Sequence, residues 1–268
     1  MSGKKITVPD ILQKKAQGEK ITMLTAYDYP TATILGKVGV DMLLVGDSAA
    51  MVVAGEPNSL SATMDQMIYH THAVANAQPS SLIIGDMPFM SYQLSPELAA
   101  ENAGLLVAEG GAEAVKLEGG AEFVLEVEAI LKCGIPVMGH LGLTPQSVHK
   151  LGGFKVQGRD EAAANKLLED ALALEDAGAF SIVLECVPAE VAKKVTDALA
   201  IPTIGIGAGP DCDGQVLVTP DLLGLFDRFT PKFVKRYANL APLVEEAVKT
   251  YIDEVKTGEF PSGEHIYK

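Results

Sequence analysis

The 268-residue sequence has no tryptophan, three cysteines and only 6% aromatic residues. Cys133, Cys186 and Cys212 are odd in number, far apart, and outside any CxxC or Cys/His cluster. Neither a disulfide framework nor a zinc site is expected from them, and a reducing cytoplasm fits. Basic residues are also scarce: 21 Lys and Arg face 35 Asp and Glu, a formal net charge of −14. A nucleic-acid backbone or an anionic membrane would be repelled over most of such a surface, so neither is expected as a partner. Mean hydropathy is +0.21, yet no uninterrupted apolar run approaches the roughly 18 residues that would mark a membrane span. Residues 1–10 carry Lys4 and Lys5 but no apolar segment and no small-residue cleavage site, so a secretory signal is not expected. With 48% hydrophobic and 21% charged residues, the chain lacks the composition of a disordered one and can bury a core.

What is present is Ala, Val, Leu and Ile, with 26 glycines for tight turns. Short apolar runs bounded by turn residues predict strands at 21–26, 42–46, 81–85, 114–117, 136–139, 181–184, 203–206 and 216–218. Their cores are continuous rather than alternating, as in Leu82-Ile83-Ile84, the pattern of strands buried on both faces. Helix punctuation falls between them. Thr63 with Gln66 forms a capping-box pattern, Ser95 precedes Pro96 and Glu97, and Asp160 heads the run to Asp176. Leu240, Leu243, Val244, Ala247, Val248, Tyr251, Ile252 and Val255 line one face of a long terminal helix, a face expected to be core, with an oligomer contact as the alternative. Eight β-α units with no low-complexity linker predict one (β/α)8 barrel spanning 1–268 as a single catalytic domain. An open doubly wound sheet would need about six strands and leave part of the chain unassigned.

In such a barrel catalytic groups come from the C-terminal strand ends. The polar residues just past the apolar runs are Asp47, Asp86, Lys116 with Glu118, His140 and Glu185, so five consecutive strands deliver an ionisable group to one rim. Asp47, Asp86 and Glu118 are 39 and 32 residues apart, about one β-α unit each, and should be neighbours around the mouth. Three crowded carboxylates repel unless a cation intervenes, and hard oxygen ligands suit Mg2+. Each acid could instead cap the next helix. Glu185, after a fully apolar run, is expected to be desolvated and to serve as general base. It could also be a buried partner of Lys116 or His140. Lys116 is placed to meet a substrate carboxylate, with a structural counter-ion as its alternative role, and His140 is either catalyst or scaffold. The glycine-rich stretch at 205–210 reads as close backbone packing rather than a phosphate cradle, because Pro210, Asp211 and Asp213 stand where donors would be needed. His70 and His72, at i and i+2 on a helix, form no ligand pair.

The sequence resembles the ketopantoate hydroxymethyltransferase family nearly end to end. The resemblance is carried by Thr25-Ala26-Tyr27-Asp28-Tyr29, Leu44-Val45-Gly46-Asp47-Ser48, Asp86-Met87-Pro88-Phe89-Met90 and Val115-Lys116-Leu117-Glu118-Gly119-Gly120. It continues through the long block from Gly139 to Val148, then 155–159, 184–188, 204–209, 213–218 and 231–233. The resemblance implies a (β/α)8 barrel, a Mg2+ site, and transfer of a hydroxymethyl group from 5,10-methylenetetrahydrofolate to 3-methyl-2-oxobutanoate in pantothenate synthesis. It further implies that Asp47, Asp86 and Glu118 serve the metal, that Ser48 and Lys116 bind the oxo acid together with Asp47, Asp86 and His140, and that Glu185 is the base. It also implies a homo-oligomer, a decamer in this family. The sequence departs from the family pattern at Ala49-Ala50-Met51, over 57–63, at Pro220 and at Asn76-Ala77. Those departures bear on folate contacts and substrate preference rather than on the acids. Two other readings are another Mg2+-dependent 2-oxo-acid lyase or mutase, against which the glycine-histidine block speaks, and a non-catalytic barrel, against which the intact acid set speaks.

Overall fold

The computed structural model describes residues 4–226, 228 and 230–267. Eight parallel strands close into a barrel: β1 Ile21–Thr25, β2 Met42–Val45, β3 Leu82–Asp86, β4 Ala114–Glu118, β5 Val137–Gly142, β6 Ser181–Glu185, β7 Thr203–Ile206 and β8 Gly214–Leu217. Each strand pairs with its sequence neighbour, and β1 pairs with β8 to close the ring. The chain divides into two compact units, Met1–Val218, which contains every barrel strand, and Thr219–Lys268.

The predicted strands all form, β7 at its expected bounds and the others with end corrections of one to three residues. β5 runs on through His140-Leu141-Gly142, because Leu141 and Gly142 pair with Leu184 and Glu185 of β6. β8 begins earlier, at Gly214, where a side chain would meet Ile21 O at 2.5 Å. The expected caps are in place: Thr63 and Gln66 cap each other's backbone N–H, and Ser95 and Asp160 accept from Leu98 and Ala163. Asp28 does the same for Thr31.

Alternation along the strands decides what each side chain meets. Leu43, Val45, Ile83, Val115, Leu117, Val137, Leu141, Ile182 and Leu184 form one buried layer with the surrounding helices, through residues such as Leu106, Ile130, Ala171 and Val195. Each fully buried Leu or Ile there contributes about 1.5–3 kcal/mol relative to an exposed one. The opposite parity faces the lumen, where Met23, Met42, Ile84 and Met138 are buried. Asp86, Lys116, Glu118, His140 and Glu185 share this second parity. The pleat therefore sends all five inward at the C-terminal end.

The terminal helix, Leu240–Thr257, forms as expected, but its apolar face is not core. None of its residues is buried, and Leu243, Val244 and Tyr251 are more than half exposed. Amphipathic spacing specifies a face and not what covers it, which is why the core expectation fails here. Among the described residues no helix is long and apolar enough to cross a membrane.

Candidate active site

At the mouth Asp47, Asp86, Lys116, Glu118 and His140 are each no more than 5% exposed. Strand register sets their order, with Asp86 opposite Lys116 and Glu118 opposite His140. Lys116 Nζ lies 2.8 Å from Asp86 Oδ1, a buried charge-assisted pair. The other Asp86 oxygen accepts from the backbone N–H of Asp47 at 3.1 Å. His140 is 3.4 Å from Glu118 Oε1 on one side and 3.2 Å from Glu185 Oε2 on the other. The five strands thus bring together every ionisable residue that the sequence marked. Ser48, which follows β2, is hydrogen-bonded to the Tyr27 hydroxyl at 2.9 Å.

Four carboxylates share this space with one ammonium and one imidazole. Burial, then the neighbouring charges of Asp86 and Glu118, push Asp47 well above the usual carboxylate range. Burial also raises Asp86, against the pull of Lys116. Lys116 would be lowered by burial, but Asp86, Glu118 and Asp47 hold it above its ordinary value. His140 is pushed up to about 9: burial and the Lys116 charge oppose protonation, and hydrogen bonds to Glu118 and Glu185 outweigh them. With all four acids ionised, Lys116 and His140 would leave two negative charges uncompensated; the upward push on Asp47 and Asp86 registers that surplus, and one divalent cation would relieve it.

The donor chemistry fits a hard cation: the buried Asp47 and Asp86 carboxylates stand at the ends of adjoining strands as oxygen donors, with one ammonium, Lys116, against Asp86. Among the described residues no group of three His, Cys, Asp or Glu side chains converges as a metal cage. Glu118 is drawn elsewhere: its Oε2 accepts from the backbone N–H of Gln146 at 2.9 Å and its Oε1 faces His140. Mg2+ commonly takes one or two protein carboxylates and fills its shell with water and substrate.

Glu185 departs from the expected full desolvation. Its side chain is 16% exposed, against 3–5% for its ionisable neighbours. Its register partner on β5 is Gly142. A Cβ on Gly142 would collide with the Glu185 carbonyl oxygen. That carbonyl accepts from Leu143, and the next residue, Cys186, sits at φ 49° with its N–H donated to Ile206 and its carbonyl accepting from Gln157. A non-glycine residue in the left-handed region costs on the order of 1–3 kcal/mol and persists where surroundings impose it. The acid is presented on a constrained turn.

Gln146 was not singled out by its sequence, yet it is the most connected side chain in the site. It sits in the 3-10 turn Pro145–Ser147 and is 6% exposed. Its Nε2 donates to Asp47 Oδ2 at 3.0 Å and to Met87 O at 2.9 Å. Its Oε1 accepts from Tyr92 and Gln93, each at 3.0 Å. Two donors and two acceptances satisfy the amide and fix its orientation. Tyr92 extends the network, accepting from Glu118 N at 3.1 Å and lying 2.9 Å from Glu118 O. Its sequence signal was its place four residues past the end of β5, inside the block from Gly139 to Val148. His70 and His72 point to different carbonyls, Tyr27 O and Glu109 O, as their spacing predicts.

A closed parallel barrel with buried ionisable groups at its C-terminal mouth is the architecture of a (β/α)8-barrel enzyme. Its solved likenesses include phosphonopyruvate hydrolase in complex with oxalate and Mg++ (TM-score 0.62, 14% identity, 97% of this chain and 93% of that one). Another is 2,3-dimethylmalate lyase (TM-score 0.61, 16% identity, 97% and 93%). At such identity they speak for the fold alone. The chain belongs to the ketopantoate hydroxymethyltransferase family, whose model matches residues 5–263. Its relatives include the 3-methyl-2-oxobutanoate hydroxymethyltransferases of Moorella thermoacetica, 59% identical over 264 residues, and Pelobacter propionicus, 57% identical over 264 residues. Each alignment covers 98% of both chains.

Proposed function

We propose that this protein is a 3-methyl-2-oxobutanoate hydroxymethyltransferase that enolises its 2-oxo acid and adds a one-carbon unit from 5,10-methylenetetrahydrofolate, giving 2-dehydropantoate for pantothenate synthesis. The observation that carries this reading is the buried surplus of carboxylate at Asp47, Asp86 and Glu118 beside Lys116, in a chain 59% identical to a relative of that name. Asp47 and Asp86 would hold Mg2+, with Glu118 supporting them through Gln146 and His140. When bound, the cation would polarise the keto oxygen and acidify the C3–H.

The chain's own groups then have separable tasks. Lys116 and Ser48 grip the substrate carboxylate and turn C3 toward the incoming carbon, a gain in orientation rather than in chemistry. Glu185, the most open of the acids, accepts the C3 proton. Charged His140 braces Glu185 from one side and Glu118 from the other. The C3 carbanion equivalent attacks the carrier-borne carbon, water replaces the carrier nitrogen on that carbon as its carbon–nitrogen bonds break, and the carrier leaves as tetrahydrofolate, taking up the proton that water gives up. The exposed apolar face of Leu240–Thr257 supports a homo-oligomer, and three free cysteines support a cytoplasmic setting.

The test is deuterium exchange at C3 of 3-methyl-2-oxobutanoate, with and without Mg2+ and tetrahydrofolate. The expected outcome is exchange that requires the metal and turnover that requires the folate. Absence of both exchange and turnover would sink the transferase reading.

A further inference from the structure

Strands β3 and β4 part just past Lys116, and side chains fill the gap between them. Even-numbered residues of β4 bond toward β3, as in Met87 N–H to Lys116 O at 2.9 Å, and odd-numbered ones toward β5, as in Gly119 N–H to His140 O at 3.1 Å. The backbone of Glu118 therefore looks toward β3, whose last residue, Asp86, is already paired with Lys116. In a continued ladder the Glu118 N–H would meet Met87 O. Side chains take both places instead: Met87 O accepts from Gln146 Nε2 at 2.9 Å, and the Glu118 N–H donates to the Tyr92 hydroxyl at 3.1 Å.

Tyr92 is built into that post. It is 1% exposed, and its ring packs edge-on against Phe123, with centroids 5.3 Å apart and planes at 77°. A Cβ on Gly119, at φ +114°, would collide with the Phe123 ring, so the glycine after Glu118 lets this aromatic pair lie against the strand end. The hydroxyl has one proton for two acceptors, Glu118 O at 2.9 Å and Gln146 Oε1 at 3.0 Å. Gln93 Nε2 also donates to Gln146 Oε1, so that oxygen faces donors from two sides and the amide nitrogen is turned to Asp47 Oδ2. A flipped amide would set donor against donor at Gln93 and oxygen against oxygen at Asp47 and Met87.

The consequence falls on how the carboxylates can meet a cation. With Oδ2 of Asp47 taken by Gln146, Oδ1 is the oxygen left to ligate. Asp86 is held in the same manner, by Lys116 at Oδ1 and by the Asp47 N–H at Oδ2. Carboxylates pinned in this way offer single oxygens rather than chelating pairs. Mg2+ accepts one or two such oxygens in an octahedral shell that water and substrate complete, whereas Ca2+ takes about six to eight ligands and can use both oxygens of a carboxylate. We propose that Tyr92 is a positioning residue of the metal site, holding the Gln146 amide so that Asp47 meets a cation through one oxygen and Mg2+ is preferred to Ca2+. The proposal rests on the metal-dependent function argued above and adds what aims its carboxylates.

The test reads metal binding rather than turnover. Mn2+ binding is followed by electron paramagnetic resonance in the presence of 3-methyl-2-oxobutanoate, with Mg2+ and Ca2+ titrated in as competitors. Tyr92→Phe keeps the ring and removes the oxygen, and should cut the preference for Mg2+ over Ca2+ about threefold to tenfold. Gln146→Leu should cut it about tenfold or more, and the double variant should match Gln146→Leu alone, because Tyr92 acts through the amide. Phe123→Leu loosens the same packing with the hydroxyl left in place, so Tm should fall while the metal preference stays within about twofold. An unchanged preference in Tyr92→Phe, or losses that multiply in the double variant, would overturn the positioning role. A shift in Phe123→Leu as large as that in Tyr92→Phe would overturn it too. Should Tyr92→Phe fail to fold, Gln146→Leu decides by itself, and wild-type preference in that variant would overturn the assignment. Absence of Mn2+ binding by the unaltered protein would instead remove the metal site and the positioning role together, so this failure is distinguishable from the others.

Discussion

The two ends of the barrel use the same residue types to opposite ends. At the N-terminal end Asp41, Glu113 and Asp213 immediately precede β2, β4 and β8, and each has its own lysine. Asp41 accepts from Thr22 N and Oγ1, both at 2.8 Å, and lies 3.1 Å from Lys14. Asp213 accepts from Thr203 N at 2.8 Å and pairs with Lys15 at 2.9 Å, while Glu113 accepts from Ile83 N at 2.9 Å and pairs with Lys5 at 2.7 Å. At the C-terminal end Asp47, Asp86, Glu118 and Glu185 share Lys116 and His140. Charges that are matched one to one stabilise the fold without a ligand. Charges left in surplus wait for a cation, and a site that pre-positions them gives up stability in exchange for electrostatic readiness.

The largest effect that would sharpen this contrast is on chemistry at the mouth. Glu185→Gln is expected to slow C3 deuterium exchange by about 10²–10⁴-fold, the range of a general base, with Mg2+ affinity retained. Exchange at the normal rate in that variant would remove Glu185 from the base role. Gln146→Leu comes next. Loss of an outer partner that orients ligating carboxylates is expected to weaken Mg2+ binding about 10–100-fold, read from the metal dependence of exchange.

Stability should move in opposite directions at the two ends. Asp41→Ala strands the Thr22 N–H and Lys14, and is expected to cost about 2 kcal/mol, lowering Tm by roughly 4–8 °C, with activity per folded molecule unchanged. Asp47→Asn should instead raise Tm by roughly 2–4 °C at neutral pH in chelator, about 1 kcal/mol, while abolishing exchange. The sign follows from linkage. An acid whose folded pKa is raised holds its proton more tightly when folded, so its contribution is present at low pH and fades as pH climbs above the ordinary 3.8. Melts at about pH 4 should therefore show little difference between Asp47→Asn and the parent. A Tm loss for Asp47→Asn at neutral pH would break the comparison.

The smallest effect is at the sulfur beside the base. Burial, with the Glu185 charge added, pushes the Cys186 thiol up to about 11. Iodoacetamide should therefore label exposed Cys133 well before Cys186 at neutral pH, with Cys186 labelling climbing only as the medium approaches its thiolate range. Peptide mapping across a pH series checks this, and early labelling of Cys186 would contradict the burial assigned to it.

Barrel and rim were legible in the sequence for one reason: strands buried on both faces read as continuous apolar runs, and their polar ends then stand out. Lys116 and Glu118 betray a shared face by their spacing of two. The same signal fails where function intrudes on a strand, as at His140-Leu141-Gly142, whose glycine and histidine read as a turn although they pair with β6. Gln146 stayed hidden because a neutral amide in a 3-10 turn has no periodicity, and its importance lies in partners 53 to 99 residues away in sequence. The terminal helix showed its face but not its covering, since amphipathic spacing is identical for a core contact and an open one.

Closure of the sheet carries one more consequence. Because β1 is bonded to β8, the ladder has no first or last strand, and no row of backbone donors and acceptors is left open for a foreign strand to extend. Any lasting contact between copies of this chain must therefore be written in side chains, on helices and loops, where single substitutions can retune it without unravelling the sheet.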